Sequence, residues 1–237
     1  MGAMKEQLVQ FLARLEGSLR PICNAVEQLL SVDTETTEEN DAFLISRRPK
    51  IAPQAYACVL YRGLSEVNID RYLQKYVAAP MRSSVLTDSY REVLRVLNGA
   101  DVYQLSLFGV PPSMCADPPL PNRRVRQPLD IGEANTSWFT RYMPAPNHLH
   151  FGSGPFSPNE NLGYFLSVDG SVKSLHVGGT IFNAWGTMRE FLEDEIHRYE
   201  ASFAEYEESM FLFRQELERT EAEKRAKRRP KKHGLVR

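Results

Sequence analysis

The chain has 237 residues, 42% of them hydrophobic, enough for one good-sized domain with extensions or for two small ones. Its formal charge of -1 conceals two opposed regions: residues 221–237 hold eight Lys/Arg against two Asp/Glu, so a +6 tail leaves -7 on residues 1–220. Cys23, Cys58 and Cys115 form no CxxC pair and no run of about 18 apolar residues occurs, so neither a disulfide framework, nor a thiolate zinc site, nor a membrane span is expected.

The first thirty residues are amphipathic and carry charge throughout, unlike a signal peptide, so the expectation is a cytoplasmic protein with reduced thiols. Met1-Gly2-Ala3 ahead of Met4 reads as the remnant of a cleaved tag. Leu8, Leu12, Leu15, Leu19, Ile22, Val26 and Leu29 step by four and three, which places them on one stripe of a helix or helix pair. Gly17 and Pro21 interrupt that stripe and predict a break, with Ser18 placed to cap a second helix. Asp33 to Asp41 is acidic and aperiodic and reads as a mobile loop.

Short apolar runs follow at Phe43-Leu-Ile45 and Tyr56 to Tyr61; periodicity leaves the second as either strand or helix. Ser65 with Asn68 to Tyr76 predicts a short capped helix, and Thr87 to Leu97 predicts a firmer one, stopped by Asn98-Gly99 in the left-handed conformation. Strand-like pieces then appear at Val102–Phe108, Leu149–Phe151, Tyr164–Val168 and Val172–Val177, with Asp169-Gly170 and Ser171 marking a tight hairpin in an antiparallel sheet. Residues 110–128, rich in proline and including Arg123 and Arg124, read as a long loop of the kind that carries recognition.

A long helix is predicted from about Thr187. Leu192, Ile196, Tyr199, Phe203, Tyr206, Met210, Phe213 and Leu217 form a heptad stripe along it. Such a helix is longer than a domain of this size needs, so the N-terminal helices are expected to pack on it, or two copies to pair through it as a homodimer.

Candidate chemistry is sparse. His148 and His150 alternate along a strand and so point to one face, as a two-His metal pair would, but no third ligand completes a site. Ser153 in Phe151-Gly-Ser-Gly154 matches neither a nucleophile elbow nor a phosphate loop, and Gly152 to Pro155 reads as a turn. Cys115 has no nearby base, His176 and His197 read as structural, and a dispersed site around His148, His150 and Glu160 is the enzymatic alternative. No catalytic residue, metal or cofactor is expected. The basic tail lacks aromatic residues that could stack on bases, so nucleic acid is not the expected partner. Trp138, Phe139 and Tyr142 beside Pro144 and Pro146 form an aromatic-proline stretch suited to a protein partner, with Arg123 and Arg124 as further candidate contacts.

Taken in order from Leu64 to Tyr199, a helix at Leu64-Ser65, a second helix closing in Asn98-Gly99, a late Gly163-Tyr164-Phe165 with its Asp-Gly hairpin, and Trp185 followed by Phe191-Leu192 at the start of a final helix resemble the SMI1/KNR4 (SUKH) family. The resemblance implies an α+β fold with helices packed on an antiparallel sheet, no catalytic apparatus, and use as a binding module. Bacterial members of that family include immunity proteins that block a cognate toxin. In the motif, Asn98, Gly99, Tyr164, Trp185 and Phe191 are expected to be structural. Divided this way, residues 1–42 are an N-terminal helical arm with its acidic loop, 43–200 the α+β domain, 201–223 an extension of the last helix, and 224–237 a basic, disordered tail. The alternative function is a regulatory scaffold that self-associates through its terminal helices.

Overall fold

The computed structural model describes residues 2–32, 34–39, 41–47, 56–76, 88–115, 127–145 and 147–228. Helix α1 (Gly2–Leu12) and α2 (Arg20–Leu30) lead into β1 (Glu35–Glu39), β2 (Ala42–Ser46) and β3 (Cys58–Arg62). Helices α3 (Glu66–Tyr76) and α4 (Asp88–Val96) precede β4 (Leu97–Val102) and β5 (Leu105–Leu107). Then come α5 (Pro112–Cys115), α6 (Ile131–Glu133), a π-turn over Ala134–Trp138 and α7 (Phe139–Tyr142). Strands β6 (His148–Ser157), β7 (Glu160–Ser167), β8 (Val172–Leu175) and β9 (Ile181–Trp185) close the sheet, and α8 (Met188–Arg228) ends the described chain.

The nine strands form one open antiparallel sheet in chain order, so every strand pairs with its sequence neighbours. Short turns join β4 to β5 and β6 through β9, whereas the connections from β3 to β4 and from β5 to β6 are long crossings that carry helices. Asp169 does what an Asp-Gly turn requires: its carboxylate accepts from Ser171 N at 2.9 Å, while Gly170 takes φ +87°. The fold is thus a mixed one, with a nine-stranded sheet and a long final helix. None of the described helices is long and apolar enough to cross a membrane.

Alternation along β2 explains its complete burial. Phe43 and Ile45 enter the main core with α1 and α2, whereas Ala42 and Leu44 pack on the opposite face with Val59 and Tyr61. The main core is continuous from Leu8 of α1 to Phe203 of α8. The N-terminal arm is therefore one layer of that core, and β1 is a strand of its sheet.

Several local expectations are corrected. The stretch read as an acidic loop contains β1, which registers Glu35 against Ser46 and Glu39 against Ala42; pairing with an apolar neighbour overrides its poor strand composition. Between α1 and α2 the chain turns through Gly17 at φ +56°, and Pro21 sits in the first turn of α2, where a missing N–H costs nothing. Ser18 caps nothing: Leu19 occupies the cap position without a side-chain bond. Val102–Phe108 is two strands, β4 and β5, folded back at Tyr103, which takes φ +55°. Helix α4 stops at Val96, three residues before Gly99, and Asn98-Gly99 belongs to β4. Gly152 to Pro155 lies inside β6, paired with β7, and is no turn.

The prediction for Ser65 holds: its hydroxyl accepts from Asn68 N at 3.3 Å. The long final helix begins as expected, with Thr187 accepting from Glu190 N at 3.2 Å and the Glu190 carboxylate accepting from Gly186 N at 2.9 Å, a reciprocal capping pattern. Its 41 residues extend about 60 Å. Helix α2 packs on its first half, with Gln28 donating to Glu200 at 3.2 Å. Burial continues to Phe203 and Glu207 and ceases beyond them, so Leu212, Phe213 and Leu217 stand exposed.

Asn98 and Gly99 owe their positions to backbone geometry. The Asn98 amide makes a two-point contact with Val110, donating to its carbonyl and accepting from its N–H, both at 2.8 Å. Gly99 has φ +87°, and a Cβ there would stand 2.8 Å from Pro128 Cβ and 2.9 Å from the Leu107 carbonyl. Gly170 has the same φ with open space around it. Gly99→Ala should therefore lose about 2 kcal/mol and clearly more than Gly170→Ala, for which the backbone term of about 1 kcal/mol acts alone; equal shifts of the two urea midpoints would contradict this account.

Candidate functional site

An open cleft of about 480 Å³ is lined by Arg62, Ser65, Asn68, Arg71, Asn98 and Cys115 among others. Several of its polar groups serve the fold: Arg71 donates to the Cys115 carbonyl at 2.9 Å, Arg62 pairs with Glu38 at 2.7 Å, and Asn98 holds Val110. Burial pushes the Cys115 thiol up to about 11, which removes it as a nucleophile at neutral pH. The cleft is a seam between α3, β3 and α5.

The two strand histidines share an uninterrupted run of the β6–β7 register, His148 opposite Ser167 and His150 opposite Phe165, with a bulge following His150. His150 is buried, stacked on Phe165 with ring centroids 4.5 Å apart. His148 is half-buried, and its Nδ1 faces the Ala145 carbonyl at 3.2 Å. Glu160, grouped with them in the enzymatic alternative, instead pairs with His176 Nδ1 at 2.6 Å. No group of three or more His, Cys, Asp or Glu gathers among the described residues in a way that could hold a metal. Ser153 is a strand residue opposite Gly163 and Ser106.

The aromatic residues favoured for partner contact divide. Tyr142 is buried between His150 and Phe165, which makes it a core residue and corrects its reading as a docking contact. Trp138 is half-buried and packs edge-on to Phe108, centroids 5.8 Å apart. Arg123 and Arg124 lie outside the described residues. Of the motif residues, Phe191 is fully buried and Trp185 stacks edge-on against it while donating Nε1 to Asp194 at 2.8 Å.

Tyr164 belongs to a buried polar cluster. Glu195 on α8 is 2% exposed, deep enough that its charge requires partners. It has them: the Tyr164 hydroxyl and the Arg198 guanidinium both donate to it, and Arg198 also reaches the Tyr164 hydroxyl at 2.9 Å and the Tyr199 hydroxyl at 2.7 Å. Tyr199 donates onward to the Pro155 carbonyl at 3.2 Å. Burial raises the Tyr164 pKa far out of reach and lifts Tyr199 to about 12, so both hydroxyls stay protonated. Burial works against the charge on Arg198, but the bond to Glu195 outweighs it and the guanidinium pKa rises. Both tyrosines and Arg198 thus keep one protonation state near neutrality, and the cluster serves as a rigid mount.

What it mounts is on the surface. The Arg198 guanidinium lies over the Tyr199 ring at 4.2 Å and beside the Phe182 ring at 5.9 Å. Phe182 meets Phe156 at 5.2 Å between centroids, and His176 packs edge-on against both. In a molecule whose other aromatics are mostly core, Phe156 is 43% and Phe182 42% exposed, with Ile181 on the next position 55% exposed. These residues meet at the end of β6, the turn before β9 and β9 itself, which is the last strand of the sheet. Sequence reading missed them because Ile181–Trp185 was never read as a strand; Gly178-Gly179, both at positive φ, was the available turn signal.

His150 provides a check on the packing beneath. Burial lowers its pKa to about 4 from the ordinary 6.5, so the folded state holds it neutral. Between those values the unfolded chain binds a proton that the folded chain does not, so stability falls with pH from about 6.5 to about 4, by about 3 kcal/mol for this group. Urea melts should lose this pH dependence in His150→Gln, whereas an unchanged pH profile would place the ring in contact with water. Comparison of the chain with protein-family models, with curated proteins and with solved structures yields no match.

Proposed function

We propose that the chain is a non-enzymatic protein-binding module that engages its partner through the aromatic face of Phe156, Phe182 and Arg198. The observation carrying this reading is an exposed aromatic cluster around an immobilised arginine at an open sheet edge. Aromatic residues and arginine are the types that concentrate binding energy in protein interfaces, and the lower the freedom a side chain has left to lose, the less its immobilisation costs. Resemblance to the SMI1/KNR4 family narrows the module to the immunity type, in which a cytoplasmic protein neutralises a cognate toxin by occupying it. The -7 charge on residues 1–220 supports a basic partner, because complementary charge speeds capture. The SMI1/KNR4 assignment and the immunity role stand together as one proposal.

The test is retrieval of the tagged full chain from its native host, followed by comparison with Phe182→Asp. Stoichiometric recovery of a toxin-like partner that high salt releases, reduced at least about tenfold by Phe182→Asp, is the expected result. Equal recovery by the variant would sink the assignment of the surface.

The second half of α8 favours a second reading, self-association as a scaffold. Phe213, 67% exposed, continues the same heptad stripe that Phe203 buries in the core. If that stripe pairs two copies, light scattering should report a dimer at micromolar concentration that Phe213→Lys with Leu217→Lys converts to monomer; a wild-type monomer at about 100 µM would remove this reading.

A further inference from the structure

The two edges of the sheet are built differently. Strand β1 carries Glu35, Glu38 and Glu39 in five residues, and charges of this density on an edge repel an incoming strand. Strand β9, Ile181-Phe-Asn-Ala-Trp185, carries no charge, and its first four residues are exposed. An uncharged, exposed terminal strand next to an aromatic cluster is the arrangement that accepts a further strand.

The backbone of β9 indicates how. Asn183 turns its N–H and C=O toward β8, where the Ser174 hydroxyl accepts from Asn183 N at 3.0 Å and donates to Asn183 O at 3.4 Å. Successive residues of a strand aim these groups at opposite edges, so the Ala184 N–H points away from β8. It is covered by its neighbour's side chain, Asn183 Oδ1, at 2.9 Å. That amide is a local cover, displaceable by rotation of one exposed side chain.

We infer that β9 is a strand-addition site for an extended segment of a partner protein, one that alternates apolar with basic residues. This deepens the proposed binding function and rests on it. An apolar side chain of the added strand lies against Phe156 and Phe182 while its backbone takes the Ala184 N–H. Its basic residues face the first turns of α8, where Glu190, Glu193 and Asp194 are exposed beside the end of β9. The cations nearby are Arg189, paired with Glu193 at 2.9 Å, Arg198, paired with Glu195, and Lys173, opposite Ala184 on β8. Counting Glu195, four carboxylates against Arg189, Arg198 and Lys173 leave this end of the sheet edge negative by one charge.

The probe is a library of random peptides of about twelve residues, panned against the full chain, with the selected peptides synthesised and titrated by fluorescence polarisation. Selected sequences should alternate apolar and Lys/Arg residues, and should bind about tenfold more weakly to Phe182→Asp and to Ala184→Pro, whose proline removes an N–H that β8 does not use. Because Ala184→Pro can fail to fold, amide exchange of the native chain supplies an independent readout: bound peptide should slow exchange at Ala184. Peptides that lose affinity for Phe182→Asp but ignore Ala184→Pro and leave that amide unprotected would overturn strand addition and spare the aromatic surface. Peptides indifferent to both variants, or no selected peptide at all, would sink strand addition together with that surface. A dimer of the native chain that Ala184→Pro dissolves would overturn the foreign partner in favour of a second copy.

Discussion

The buried carboxylate of Glu195 is the constraint on which the rest of the molecule turns. An isolated ionised carboxylate at that depth would cost several kcal/mol, so the fold must bring it donors. Tyr164 comes from β7, and Arg198 and Tyr199 follow one turn later on α8. Satisfying Glu195 therefore fixes how α8 lies on the sheet. It also dictates Gly154, because a Cβ there would collide with the Tyr199 hydroxyl. That collision, not a turn, is why β6 contains a glycine-rich stretch: Gly152 likewise passes 2.8 Å from the Ser106 carbonyl if given a Cβ.

From this follows why the surface cluster is placed as it is. Arg198 is long and flexible in isolation, with about 2 kcal/mol of rotamer entropy to lose. Here its fork is already held by Glu195 and two tyrosines, so its position beside Phe182 is set before any partner arrives. The aromatic rings gain from the same economy, since Phe156, His176 and Phe182 support each other edge to face. A preorganised surface converts more of its contact into affinity than a mobile one of equal area.

Legibility in the sequence followed the source of each element's stability. Elements stabilised by their own pattern were readable: the stripe of α1 and α2, the Ser65 helix, the Asp169-Gly170 hairpin and the length of α8 all rest on periodicity or on local capping. Elements stabilised by a neighbour were not. Strand β1, with three glutamates in five residues, exists because β2 offers a paired edge, and β9 exists because Ser174 and its neighbours on β8 receive it. The candidate surface joins Phe156, Phe182 and Arg198 from three elements, so no spacing along the chain announces it. Tyr142 failed in the opposite sense: an aromatic among prolines looks like an interface, yet its ring fills the gap between His150 and Phe165.

The two halves of α8 do different work because they meet different surroundings. Up to Glu207 the helix is a structural strut whose sequence is constrained by the sheet beneath, including a buried carboxylate that apolar packing alone would never call for. Beyond it the same heptad stripe runs on with nothing from the described residues to cover it, and ion pairs such as Arg214 with Glu218 at 2.9 Å stabilise the helix from its own surface. Such pairs contribute only tenths of a kcal/mol each, so they keep a helix helical without hiding Leu212, Phe213 and Leu217. Roughly 15 residues, or about 22 Å of helix, separate Arg198 from Phe213. At that distance the sheet-edge surface and the free stripe share no side chain, and changes to one leave the other's contacts intact. A partner held at β9 and a second copy held along α8 are therefore compatible within one assembly.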